Sequence, residues 1–342
     1  LFKAIKEGIV LGLTIVGTTI GAGFASGREL WEFFSSYGLQ SYLGIIIAMI
    51  LFALSSIYIV WISRKHATDN YYEVLLVLIG KPLARVFDGF IFLYLFSGSV
   101  IMFAGSGATF AQWDLPYIYG VLGLAIAVWL VLLGDINGLM KINSLLIPIL
   151  VGVLLLITFN YAANNSSFTG EYLNSHLKVW PSAITYAALN VISLLGVLST
   201  MGKKITSTSG MILGGVFAAV ILGIVAIMIN SSLLKVSYVQ QYEIPLFSLI
   251  PANEQLLKVL TTIILWFAIY TTVLSNTHGL VHRIQKRLKY SSGVLSIFVI
   301  VSMLPLTFIG FSTLVNILYP LYGVLNLYIL SVIILYPFQT TS

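Results

Sequence analysis

The 342-residue chain is 59% hydrophobic and 8% charged, with a mean hydropathy of +1.01, values foreign to water-soluble domains. Its 17 Lys and Arg against 11 Asp and Glu give a net charge of +6, and the absence of cysteine excludes disulfides, thiolate catalysis and Cys-ligated metal centres. Apolar runs of the ~20 residues needed to cross a bilayer recur from end to end. The chain therefore reads as one membrane domain, 1–342, with no soluble appendage.

The first apolar stretch, 5–34, follows Lys3 and Lys6 and carries Arg28, Glu29 and Glu32 in its second half. With no small-residue cleavage site, it reads as a retained span rather than a signal peptide. Residues 17–29, Gly-Thr-Thr-Ile-Gly-Ala-Gly-Phe-Ala-Ser-Gly-Arg-Glu, interrupt it with four glycines. Glycine costs a helix interior roughly 1 kcal/mol against alanine and lets the backbone open toward a ligand. Opened backbone at membrane depth survives only around a protein-lined cavity, so a broken span points to the binding site of a transporter. The Gly21-Ala22-Gly23 stretch is no dinucleotide fingerprint, because Ser26 stands where that motif has its third glycine and no βαβ unit surrounds it.

Nine further spans follow, at 41–62, 86–112, 116–134, 142–161, 180–201, 209–233, 256–280, 293–310 and 312–336. Three connections are long. Residues 63–85 include an amphipathic stretch, 71–79, suited to a membrane surface. Residues 162–179 are rich in Asn and Ser, and 234–255 carry two prolines that suggest a re-entrant or capping segment.

With the N-terminus cytoplasmic, 13 of the 17 basic residues fall inside, at positions 3–6, 64–85, 141, 203–204 and 283–289, against three outside, Lys178, Lys235 and Lys258. That bias places both termini in the cytoplasm and requires an even number of spans. The basic residues mark topology, so the net charge implies no nucleic-acid partner. The expected fold is an all-α membrane protein of ten transmembrane helices in a 5+5 inverted repeat, about 5–161 and 180–336. An inverted repeat predicts that the sixth span is broken like the first, and Asn190, Ser193 and Gly196 stand at its middle. The alternative for these three is ordinary helix packing.

The run Ile20-Gly-Ala-Gly-Phe-Ala-Ser-Gly-Arg-Glu29, followed by Phe33, Phe34 and Tyr37-Gly38, resembles the opening of the YkvI-like bacterial membrane proteins, and the likeness extends over the chain. More distantly, the ten-span plan resembles the amino acid–polyamine–organocation superfamily and sodium symporters of the leucine-transporter (LeuT) fold. That resemblance implies a sodium site built from first-span carbonyls and an eighth-span Ala-x-x-Thr-Ser/Thr pattern. The matching residues are Gly17 and Ile20, and Ala268, Thr271 and Thr272. Sodium, a hard cation, would take about five oxygens from carbonyls and hydroxyls of this kind. The plainer reading is that the two threonines bond back to the preceding turn.

In the transporter reading, the amides of Gly21, Ala22 and Gly23, next to Phe24, would receive an anionic group such as an amino-acid carboxylate. Carbonyls near Ala188, Asn190 and Ser193 would receive an ammonium group, which together implies a small zwitterionic solute. Arg28, Glu29 and Glu32 are either solvated in an outer vestibule or form an outer gate. The related symporters pair a first-span arginine with a tenth-span acid, but 312–336 has no Asp or Glu, so a gate here needs another partner. Asp88 either caps the third span or latches onto Lys3 or Lys6 as an inner gate. Gly98, Met102, Gly105 and Thr109 form a small-residue stripe that suits helix packing. The four histidines are too dispersed for a metal cluster.

The leading expectation is a sodium-coupled secondary transporter of a small solute, in which spans 1, 2, 6 and 7 rock against 3, 4, 8 and 9. Proton coupling through Glu29 or Glu32, and a non-transporting sensor or assembly subunit, are the alternatives. No Gly-x-x-x-x-Gly-Lys-Ser/Thr motif is present for an ATP-driven pump. No nucleophile and base are placed for an intramembrane enzyme, and no charged ring for a channel.

Overall fold

The computed structural model describes residues 2–133, 139–165, 172–285, 288 and 290–339. Every regular element among them is helical. The first stretch forms three pieces, α1 (Phe2–Thr19), α2 (Ala22–Ala25) and α3 (Arg28–Phe33). Then come α4 (Ser41–His66), α5 (Tyr71–Ala111), α6 (Tyr117–Leu132), α7 (Leu139–Asn164), α8 (Trp180–Leu198), α9 (Thr208–Leu233), α10 (Gln255–Gln285), α11 (Ser292–Met303) and α12 (Phe311–Gln339). Eight helical segments are long and apolar enough to cross a membrane, and α6 is a shorter apolar helix. The basic residues Lys286, Arg287 and Lys289 and part of the 162–179 connection lie outside the described residues.

Local chemistry sets the boundaries. The Asn70 side chain accepts the Glu73 amide at 3.1 Å and donates to the Glu73 carboxylate at 2.8 Å, a reciprocal cap that starts α5. Gly80, at φ 71°, then kinks α5 one residue before Lys81-Pro82. The amphipathic 71–79 stretch is thereby a helical arm set off from the long apolar segment. Ser207 caps α9 by accepting the Gly210 amide at 3.1 Å.

The helices pack in two groups. In one, α1 lies on α9, and α4 lies on both α8 and α9; in the other, α5, α6, α10 and α11 pack on one another. Helix α7 joins α9 to α10, and α12 joins α8 to α5. The α1–α9 contact is a reciprocal small-residue crossing. A Cβ on Gly12 would come within 3.1 Å of the Gly214 carbonyl oxygen, and one on Gly214 within 2.8 Å of the Leu11 Cβ. Such close backbone approach gives dispersion contact in a solvent that offers no hydrophobic drive between helices.

Two expectations about the broken spans need revision. Non-helical chain over 20–24 is the expectation for the first, yet only Ile20 and Gly21 leave the helix there and Ala22–Ala25 form a new helical turn. A second interruption follows at Ser26-Gly27, where Gly27 adopts φ 77°. The sixth is not broken at all, because α8 runs unbroken through Asn190, Ser193 and Gly196. The Asn190 amide donates to the Tyr186 carbonyl at 3.0 Å, so its polarity is absorbed within the helix. One glycine costs about 1 kcal/mol, less than leaving helical carbonyls unbonded away from water.

Candidate functional site

A cavity of about 520 Å³ lies at the interruption between α1 and α2, bounded by both helix groups. Gly17 to Gly23 form one wall, and Ala268, Thr271 and Thr272 of α10 form another. Asn190 and Ser193 line it from α8, together with Gly196 and Val197. Ile192 lines it as well, whereas Ala188, one turn earlier in α8, is fully buried away from it. Phe24 likewise turns from the cavity into the core. The cavity thus brings together Gly17, Ile20, Gly21, Ala22, Gly23, Asn190, Ser193, Ala268, Thr271 and Thr272, and leaves out Phe24 and Ala188.

Both threonine hydroxyls bond back within α10, Thr271 to the Ala268 carbonyl at 3.3 Å and Thr272 to the same oxygen at 2.8 Å. Donating that proton leaves the hydroxyl lone pairs available to a cation. Helix α10 also packs directly on α2, so the first and eighth stretches meet at the interruption.

The three ionisable groups expected at a gate separate. Arg28 pairs with Glu32 on the next turn of α3 and also donates to the Tyr242 carbonyl at 3.2 Å. Both side chains are largely buried, which rules out a solvated vestibule. The acid beside Arg28 is thus Glu32 of its own helix, and the 234–255 segment docks further through the Leu246 amide on the Ser26 carbonyl at 2.9 Å. Glu29 turns the other way and lines the cavity, only 8% exposed. Its carboxylate rests on Gly23 and adjoins the buried Tyr186 hydroxyl.

Asp88 does not cap a helix. Because α5 starts at Tyr71, Asp88 falls well inside it, where it bonds Arg283 of α10 and accepts the Tyr71 hydroxyl at 2.7 Å. The Arg283 guanidinium also lies over the Tyr71 ring at 5.4 Å, and Tyr71 itself lines the cavity. Of the small-residue stripe on α5, Gly98 and Met102 line the cavity. Gly105 instead packs against Phe311, and Thr109 bonds back to the Gly105 carbonyl at 2.7 Å.

Sequence reasoning missed the cavity's tyrosines. Tyr94 meets the Ser193 hydroxyl at 3.1 Å, and the Tyr322 hydroxyl accepts from Ser97 at 2.7 Å. The Tyr94 and Tyr322 rings meet edge to face at 5.3 Å, and Tyr319 completes that wall. The signal was available: a Tyr pair three apart flanking Pro320 inside an apolar stretch is a polar aromatic edge on one helix face.

The two helix groups around an interrupted first helix define the LeuT fold. The structure superposes on an Eremococcus coleocola manganese transporter with TM-score 0.61 at 13% identity, covering 97% of this chain and 78% of that one. It superposes on MhsT in complex with L-phenylalanine with TM-score 0.56 at 16% identity, covering 97% and 98%. No family model matches the chain. In sequence it is 34% identical to the YyaD protein of Bacillus subtilis (strain 168) over 333 residues, 97% of each chain. It is 27% identical to the membrane protein YkvI of the same organism over 336 residues, 93% of this chain and 92% of that one. The chain belongs to the family of the YyaD and YkvI proteins.

Proposed function

We propose that this protein is a secondary active transporter that moves a small solute bearing an ammonium group, an amino acid being the zwitterionic form, by alternating access with sodium as coupling ion. The observation that carries this reading is the cavity at the α1–α2 interruption, lined by residues of both helix groups. A site between two packed bodies is exposed to either side when one body rocks against the other. Ten spans with both termini in the cytoplasm are part of the same reading, as is the 5+5 repeat, and the fold neighbours include a manganese transporter and a phenylalanine-bound protein.

Sodium is assigned to the space between the Gly17 and Ile20 carbonyls and the Thr271 and Thr272 hydroxyls, all on the cavity wall. Oxygen ligands without a fixed negative charge suit a monovalent cation that must leave again. Proton coupling is the second reading, favoured by one observation: Glu29 is a carboxylate buried in the cavity wall.

Uptake of labelled amines and amino acids into proteoliposomes tests both readings. Inward gradients of sodium, potassium and protons are imposed separately. Accumulation driven by sodium supports the assignment, and accumulation driven only by protons transfers coupling to Glu29. Solute binding without flux under any gradient replaces the transporter with a sensor.

A further inference from the structure

Among the described residues lining the cavity, Glu29 is the only Asp, Glu, Lys, Arg or His. No Lys, Arg or His of the described residues makes an ion pair with it, since the adjacent Arg28 is committed to Glu32 and the Tyr242 carbonyl. A carboxylate buried this way is costly to ionise unless a cation arrives to share the site. The same cavity presents Tyr94, Tyr319 and Tyr322, whose ring faces attract a cation that has shed its water.

The rest of the wall argues against a second carboxylate. Among the described lining residues an amino acid's carboxylate finds no basic side chain, and at the Gly21–Gly23 turn it meets Glu29, whose carboxylate already lies on Gly23. The unbroken α8 also removes the backbone carbonyls that would otherwise receive an ammonium group. Together these observations leave Glu29 as the one fixed charge on the described wall and no described side chain prepared for a carboxylate.

We infer that Glu29 is the counter-ion of the solute's ammonium group, and that the cavity selects small organic amines over the amino acids that carry the same side chain. This rests on the cavity being the solute site, and it names the class of solute the site takes. The tyrosines position and shield the cation, and Glu29 supplies its charge.

Equilibrium binding to the purified full chain tests it, using phenethylamine against phenylalanine and isoamylamine against leucine, at neutral pH in sodium chloride. The expected result is tenfold or tighter binding of each amine over its amino acid. Glu29→Gln should weaken amine binding at least thirtyfold, while Glu29→Asp restores it to within a few-fold. Melting of each variant without solute controls for folding; should Glu29→Gln not fold, Tyr322→Leu, expected to weaken amine binding several-fold, carries the test.

Tighter binding of the amino acids, binding of neither member of a pair, or an amine affinity indifferent to Glu29→Gln overturns the inference. Amine binding that depends on Glu29 without any flux in proteoliposomes sustains the inference while removing the transport reading. Flux of amino acids with no amine binding does the reverse.

Discussion

The Glu29 carboxylate lies on the open face of Gly23, where a Cβ would stand 2.1 Å from its Oε1 and 2.9 Å from its Cδ. Only a residue without a side chain lets the acid from α3 reach the cavity wall beside the interruption. Gly21, two residues earlier, has nothing within 4 Å of the same construction. Gly23→Ala should therefore displace Glu29 and weaken solute binding by tenfold or more, about 1.4 kcal/mol. Gly21→Ala, which meets no atom, is the steric control. Titration calorimetry on both variants checks this, and equal affinities would show the Gly23 contact to be incidental.

The threonine pair makes a separate prediction. Thr271→Ala or Thr272→Ala removes one of about five oxygens from the proposed sodium site. The sodium concentration for half-maximal binding should rise tenfold or more, about 1.4 kcal/mol, and solute affinity should fall in parallel because coupling is reciprocal. Their hydroxyls make only intrahelical bonds to Ala268, so the melting temperature without sodium should barely move. A large loss of stability with unchanged sodium dependence would assign the threonines to packing.

Asp88, Arg283 and Tyr71 tie α5 to α10 beside the cavity. Asp88→Asn removes the negative charge while keeping the shape, so separation of the two helices at that end should become easier. Asn276 lines the cavity near this latch, and the chain has no cysteine, so Asn276→Cys gives a single reporter. Its alkylation by a maleimide should speed up several-fold in the Asp88→Asn background. An unchanged rate would mean that the cluster is structural only.

The α1–α9 crossing predicts a stability effect with no direct link to the cavity. A Cβ on Gly12 would already stand 2.5 Å from Phe217 Cδ1, so Gly12→Leu forces the helices apart and should cost about 1–3 kcal/mol. Gly123→Leu on α6, where no atom lies within 4 Å, should cost far less. Thermal melting in detergent compares the two, and a similar loss at both positions would refute the close crossing.

Much of this architecture was legible because a bilayer imposes length and polarity on each helix separately. The apolar runs, the glycine-rich interruption near Gly21 and the family motif from Ile20 to Glu29 are local properties of the chain. They located the first helix's interruption within two residues. The same local reasoning failed at α8, where Asn190 and Gly196 read as breakers. The Asn190 side chain found its partner four residues back, in the helix it was expected to break.

Charge pairing was illegible for a different reason. Arg28, Glu29 and Glu32 are neighbours in sequence, yet Arg28 and Glu32 close on one another while Glu29 alone faces the cavity. Which way each points depends on Gly27 at φ 77°, on the bare Cα of Gly23 and on the docking of 234–255, all long-range or conformational facts. Asp88 pairing with Arg283, 195 residues away, follows the same rule. Sequence alone determined that the chain is helical, membrane-sized and interrupted near its start, since those follow from hydropathy and glycine content along a single chain. Only the tertiary structure decided that one carboxylate is left facing the cavity among tyrosines, because an electrostatic environment is the sum over every helix that surrounds it.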